Sequence, residues 1–364
     1  MHRRCMVKTS QLRSGDDEAC EGAADEGNSE LRERIVILLP IPMRYGIILS
    51  MCVMVGLGGC RKDLKHWQLT EKIESHTSTD RLNRIYFVND SLGFVVGGQR
   101  FAQSTILTTR DGGKTWSYTN NAQADKGLYG ITSTAEGVVY AVGFDGKLLK
   151  SVDGGREWKF YQTWYHPYHD LAFVSESKGI MVGGISFKTG NLSPIDSNGQ
   201  SAYFDSTAYE LNDIEMVDGK YGYISGYGVV LKTTDSGKNW ELLNIQDENF
   251  KAIKANGYDE AWTCGYNGSI HHTNDGGKTW ERLRNGNDIT RKRYHLLDLV
   301  FVNQMEGYAV GEDGVMIYTD NGGRNWMEMG KFTNAHLRSI VALRDGSLMV
   351  CGDAGSLYRV RAAK

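Results

Sequence analysis

Cysteine, proline, net charge and uninterrupted apolar stretches are all scarce in this 364-residue chain. The 41 Lys+Arg nearly cancel the 44 Asp+Glu, for a formal charge of −3. Such a balance gives no basic field for nucleic acid and no acidic tail. The one sustained apolar region, residues 35–59, is broken by Pro40, Pro42 and Arg44. The segment after Arg44 is shorter than the roughly 20 residues a bilayer span needs. Four prolines stand against 44 glycines. Average glycine usage is about 7%, so the surplus implies many tight turns at regular places. With 40% hydrophobic and 23% charged residues, the chain is neither disordered nor membrane-embedded along its length.

Met43 to Gly59 combine a basic Arg44 with a short apolar run, the pattern of a secretory signal. The run ends in Leu57-Gly58-Gly59-Cys60, which resembles the bacterial lipobox. That resemblance implies cleavage before Cys60 and lipid on its thiol. The expected organisation is an extension over 1–42 upstream of the true start, a signal peptide over 43–59, a tether over 60–63 and one domain over 64–364. Loss of that leader reduces the six cysteines to Cys60, Cys264 and Cys351, too few for a secreted disulfide framework. The expected location is the bacterial cell envelope, secreted and held at the membrane by the lipid.

An eight-residue box recurs five times: Thr109–Trp116, Ser151–Trp158, Thr233–Trp240, Thr273–Trp280 and Thr319–Trp326. Its pattern is S/T-x-D-x-G-x-x-W. An Asp carboxylate can accept the turn's own N–H groups, a Ser/Thr hydroxyl adds a local bond, and glycine supplies positive φ. The Trp then opens the next strand and buries its ring between neighbouring sheets. The expected structural box residues are Asp111, Trp116, Asp153, Trp158, Asp235, Trp240, Asp275, Trp280, Asp320 and Trp326, the last copy carrying Asn in place of Asp.

Ahead of each box lies an apolar stretch ending in a Val-Gly-like pair. Its glycine falls at Gly97, Gly143, Gly183, Gly226, Gly265, Gly311 and Gly352, at intervals of 46, 40, 43, 39, 46 and 41. The preceding residue is always small: Val96, Val142, Val182, Ser225, Cys264, Val310 or Cys351. Period-two alternation surrounds it, as in Gly137–Gly143. Seven repeats of about 40 residues with four short strands each specify an all-β, seven-bladed β-propeller. The seventh repeat stops at Val360 without a box strand, and Leu64–Leu69 mimics the missing one, with Trp67 in the box-Trp place. The N-terminal strand is therefore expected to complete the last blade and close the ring. The third repeat lacks a box and reads as carrying an irregular insertion over Ser186–Ser206.

This pattern over residues 64–360 resembles the photosystem II stability/assembly factor family. The resemblance implies a non-catalytic scaffold that holds a membrane-protein subunit or assembly intermediate. Asp boxes also occur in sialidases, so the alternative is a carbohydrate-binding or sialidase-like glycoside hydrolase. A glycosidase needs two carboxyls flanking the bond, or a Tyr backed by Glu, and a sialidase also needs three arginines as a carboxylate clamp. Arg84, Arg100 and Arg338 are the candidates for that clamp.

The mouth of the propeller, opposite the box turns, is expected to be lined by Asn83, Tyr129, His169, Asn212, Lys251, Leu297 and Arg338. The set is polar and mixed, without a repeated carboxylate pair, which favours binding over catalysis. An aromatic loop, Tyr161–His169, places Trp164 on the same face, and Arg282, Arg284, Arg291, Lys292 and Arg293 read as a basic inter-blade loop. The expected binding face is thus Arg84, Arg100, Tyr129, Trp164, His169, Lys251, Arg291, Arg293 and Arg338. No cofactor or metal is implied, since His271-His272 lacks carboxylate or cysteine companions. The expected partners are the membrane, through the lipid, and a protein of the envelope or a membrane complex, with a glycan as the other option. The chain is expected to act as a monomer, and the short tether implies that the box face looks toward the membrane.

Overall fold

The computed structural model describes residues 65–201, 205–245, 248–288 and 292–363. The strands form seven four-stranded antiparallel sheets in a ring, the expected propeller. The innermost strands of blades 1 to 7 are Arg81–Phe87, Leu128–Ser133, Tyr168–Ser175, Leu211–Met216, Phe250–Asn256, Leu296–Phe301 and Leu337–Ala342. Cys60 and the leader lie outside the described residues.

The core is divided among the seams. Each box tryptophan packs toward the blade before its own: Trp116 lies with Met349, Cys351 and Leu357 of blade 7. Trp158 meets Phe94 of blade 1 edge-on at 5.8 Å. Five of the seven seams therefore carry a box tryptophan, and truncating such a ring costs about 3–5 kcal/mol. Cys264 and Cys351 are buried and unbridged. Burial pushes both thiols up, so they behave as small core residues.

The Val-Gly glycines have a cause other than turn geometry. A Cβ on Gly311 would lie 2.1 Å from the His295 carbonyl oxygen, and on Gly352 it would lie 2.0 Å from that of His336. In each case the oxygen belongs to the residue leading into the same blade's innermost strand. The next N–H uses it: Glu312 N donates to His295 O at 3.0 Å, and Asp353 N to His336 O at 2.9 Å. Gly311 is itself extended, with φ −166°. Glycine is required there because the backbone approaches too closely for any side chain.

In the boxes, Thr109 Oγ1 accepts the buried Gly113 N–H at 2.9 Å and donates to Asp111 Oδ1 at 2.8 Å. Asp111 accepts the Lys114 and Thr115 N–H groups, both at 3.0 Å. Burial opposes its charge, but bonds from Thr115, Thr109 and Lys114 together outweigh it and hold the carboxyl down to about 2. The carboxylate works at the surface, and the hydroxyl serves the buried donor. In the last box the acceptor is Asn321, bonded by Thr319 Oγ1 and by Asn325 N at 3.0 Å each. Asp320 occupies the variable position instead, which corrects the expected box set.

Blade 3 also departs from expectation. Ser186–Ser206 is not an irregular insertion, because it holds all of the blade's third strand (Thr189–Asp196) and the start of its fourth (Asp205–Thr207). A reduced acidic turn survives, in which Asp196 Oδ1 accepts Asn198 N at 2.8 Å and Gln200 N at 2.9 Å.

Closure is as expected, with one shift of register. Strand Trp67–Lys72 pairs antiparallel with Leu357–Ala362 as the outermost strand of blade 7. Trp67, however, pairs with Ala362, whereas Glu71 faces Arg359, the counterpart of the residue that Ser117 faces in blade 1. Trp67 thus lies beyond the box-Trp place. It packs edge-on against Phe332 at 5.5 Å and donates Nε1–H to Gly330 O at 2.6 Å.

Candidate functional site: the mouth of the central channel

All seven innermost strands are irregular at the same place. The register shifts between the first and third residues of the repeat, across Asn83, Tyr129, His169, Asn212, Lys251, Leu297 and Arg338. These are the expected mouth residues. They stand inside the strands, at the second residue in six blades and the third in blade 1, rather than before them. A bulge re-aims its side chain, which explains why a strand position serves as lining.

Several of them also tie the seams. Asn83 Nδ2 donates to Leu128 O at 2.7 Å, His169 Nδ1 lies 2.9 Å from Leu211 O, and Asn212 Nδ2 donates to Phe250 O at 2.8 Å. Each contact runs from one blade to the next.

The position after the bulge forms a second layer, deeper in the channel. Arg84 of blade 1 reaches Asp170 of blade 3 at 2.9 Å and Asp213 of blade 4 at 2.5 Å. Burial disfavours the guanidinium charge, but Asp170, Asp213 and Asp298 outweigh it and hold its pKa well above the usual value. Burial likewise lifts Asp170, while for Asp213 the pull of Arg84 and Lys254 overcomes burial and holds the carboxyl low. The other carboxylate oxygens cap backbone in the next blade: Asp213 Oδ2 accepts Ile253 N at 2.8 Å, and Asp298 Oδ2 accepts Ile340 N at 3.0 Å. Arg84 is therefore not part of an exposed binding face. Its side chain, 19% exposed, is the cation of a lock whose aspartates are buried. The aspartates at this position in blades 3, 4 and 6 carry no sequence signal beyond their recurrence.

Above the lock, the mouth is cationic. Tyr129 is half-buried; burial pushes its phenol above the usual value against the pull of Arg100, Arg81 and Arg338. Arg81 and Arg100 are exposed, and Arg338 is held by Asp353, its Nη2 at 3.2 Å from Oδ2. Lys251 donates to Asn212 Oδ1 at 3.3 Å. Burial lowers its pKa, with Glu210 pulling the other way. His169 lies beside Tyr129, ring centroids 5.8 Å apart, and 3.9 Å from Glu210. Burial lowers its pKa, partly offset by Glu210.

Exposed aromatic side chains stand on loops of the same face. Trp164 is 44% exposed, Tyr165 71% and Phe101 70%, on the loop between blades 2 and 3 and on the middle turn of blade 1. Arg100 lies over Phe144, 4.7 Å from its centroid. Tyr168, in contrast, is buried and bonded to Ser193 at 2.8 Å.

The expected basic loop dissolves into separate roles. Arg282 and Arg284 are on the outer strand of blade 5, where Arg284 is buried and bonds Tyr294 Oη at 2.8 Å. Lys292 and Arg293 are exposed, and Arg291 lies outside the described residues. His272 does have a carboxylate companion, Glu260 Oε1 at 3.3 Å. Arg84, committed to two aspartates, is not available as one arm of a sugar-carboxylate clamp beside Arg100 and Arg338.

Box turns on one face and a cationic, aromatic-rimmed mouth on the other define a closed-ring propeller of the binding type. The chain belongs to the family described as "Photosynthesis system II assembly factor YCF48", whose profile matches residues 61–159 and 200–289. It is 25% identical over 217 residues to the photosystem II assembly lipoprotein Ycf48 of Nostoc sp., covering 58% of this chain and about half, 51%, of that one. It is 24% identical over 349 residues to the Ycf48 of Trichormus variabilis, covering 74% of this chain and 91% of the relative. A solved structure titled "YCF48 bound to D1 peptide" superposes with a TM-score of 0.63 at 17% identity, covering 83% of this chain and 97% of that one. The names of these relatives describe assembly factors rather than enzymes.

Proposed function

We propose that this chain is a lipid-anchored, non-catalytic assembly scaffold whose mouth face holds an extended segment of a membrane-protein partner. The observation that carries the reading is the set of mouth-face side chains: exposed Arg81 and Arg100, Arg338 held by Asp353, half-buried Tyr129 on which their charges act, and exposed Trp164, Tyr165 and Phe101. Clustered guanidinium groups favour carboxylates, and exposed aromatics serve as anchors at protein interfaces. The preferred segment is therefore acidic with an apolar or aromatic residue nearby. Several relatives are named lipoproteins, which supports lipid attachment at Cys60 and residence at the cell envelope. That a related structure carries a peptide of D1 supports a peptide-sized ligand.

The test is selection of a random peptide library on the immobilised propeller. The wild type enriches acidic sequences with an aromatic residue, and the Arg81→Ala/Arg100→Ala/Arg338→Ala variant does not. Enrichment that is independent of acidic residues, or unchanged in the variant, overturns the reading.

A further inference from the structure

On the mouth side of the seam between blades 4 and 5, a cleft of about 540 Å³ opens. That volume falls within the usual range of ligand sites, roughly 300–1,000 Å³. Tyr209, Tyr227 and Tyr266 line it together with Leu243, and two buried polar residues, Glu248 and Asn249, complete the lining. None of these residues takes part in the Arg84 lock.

We propose that this cleft takes the cationic side chain of a lysine or arginine carried by an extended peptide. Tyrosine rings offer negative π faces, one of which, Tyr266, already has Lys251 over it, and Glu248 supplies a carboxylate that disfavours an anionic guest. Leu243 and the ring bodies suit the apolar stem of such a side chain. Arg282 stands 3.8 Å from Glu248, its Nε engaged with His271 Nε2 at 3.1 Å. The rings are held in advance: Tyr227 stacks on Phe187 at 4.6 Å and Tyr266 on His295 at 3.9 Å. Fixed walls lower the ordering cost of binding.

Asn249 points to a peptide rather than a free amine. Its Oδ1 accepts from Asn212 Nδ2 at 3.0 Å, while its Nδ2, buried, has no hydrogen-bond partner among the described residues. A buried donor left unmatched is costly, and the backbone carbonyl of a bound peptide would match it. Asn212 belongs to the mouth, and Lys251 of the mouth lies over the Tyr266 ring at 5.6 Å. The cleft is thus a side extension of the mouth, and the proposal rests on the mouth face being the partner-binding face.

The experiment is a ¹⁵N NMR titration of the propeller with N-acetyl-lysine methylamide, N-acetyl-arginine methylamide and the uncharged norleucine counterpart. Gly228 N–H, which donates to Glu248 O at 2.8 Å, and the Asn249 side-chain amide are the reporters. The two cations should shift both signals, with norleucine at least tenfold weaker. Glu248→Gln should weaken cation binding about tenfold. Should that variant not fold, Tyr227→Leu should narrow the preference for cation over norleucine. Equal binding of norleucine, indifference to both substitutions, or no shift at all overturns the proposal. The peptide selection that tests the mouth arginines is read separately from this titration. A failed mouth would therefore show in the peptide selection while the cleft still bound.

Discussion

Arg84 of blade 1 bonds Asp213 of blade 4 at 2.5 Å, and the same nitrogen meets Asp170 of blade 3 at 2.9 Å. One cation thus joins three blades across the centre of the ring. Removing one partner of a buried ion network costs about 3–5 kcal/mol, because the remaining charges lose their compensation. Arg84→Met should show that loss in urea unfolding at pH 8. The loss should be smaller at pH 5, because Asp170, lifted by burial, can then take a proton. In the wild type, Asp213 is held below its unfolded value of about 3.9. Its contribution is therefore complete at neutral pH and lost only as pH falls below about 4. A loss under about 1 kcal/mol would show that the lock is not holding the ring.

The boxes separate into a buried and an exposed half. Thr109→Val strands the buried Gly113 N–H and should cost about 1–3 kcal/mol. Asp111→Ala, at the surface, should cost less than Thr109→Val. Trp116→Ala, which empties the seam between blades 7 and 1, should cost about 3–5 kcal/mol. Melting curves of the three variants give the order.

Gly311 and Gly346 test the two uses of glycine. A Cβ at Gly311 meets the His295 carbonyl at 2.1 Å, whereas at Gly346, with φ +78°, nothing lies within 4 Å. Gly346→Ala should cost about 1–2 kcal/mol for the left-handed backbone alone. Gly311→Ala must displace backbone and should cost about 3 kcal/mol or more. Comparable melting temperatures would contradict the close-approach explanation.

His271 gives the fold an acid limit. Burial, then the Arg282 charge, pushes its pKa down to about 4, against an ordinary value near 6.5. Between these values the unfolded chain binds the proton and the folded chain does not, so stability rises with pH across that window. From pH 7 to pH 4 this group alone should remove on the order of 3 kcal/mol. His271→Gln should flatten the slope in urea midpoints between pH 4 and 6.5.

The repeat is legible because a propeller writes its period into the chain: a Val-Gly pair and a box every 40 or so residues survive as local patterns. Closure is legible from one missing strand at one end and one spare strand at the other, although a three-residue slip moves Trp67 out of the box-Trp place. The lock is not legible, because Arg84 and Asp213 are 129 residues apart and only ring closure brings them together. The charge of Arg84 suggests exposure, since an arginine with two buried partners looks no different in sequence from a free one. The last box offers two adjacent candidates, Asp320 and Asn321; box spacing favours Asn321, and the bonds from Thr319 Oγ1 and Asn325 N to Asn321 settle it. Blade 3 resembles an insertion in sequence because its turn keeps the acceptor, Asp196, but lacks the threonine and tryptophan that mark a box.

The most direct measurement is site-specific photocrosslinking of the full-length, lipid-bearing protein in its native envelope. A benzoylphenylalanine probe would replace Phe101 or Tyr165 on the mouth face, and Val152 or Met305 on the box face, all four exposed. A crosslink to one membrane-protein partner is expected from the two mouth positions, lost when Arg81, Arg100 and Arg338 become alanine. Crosslinks to that partner from Val152 and Met305, with none from Phe101 and Tyr165, would contradict it.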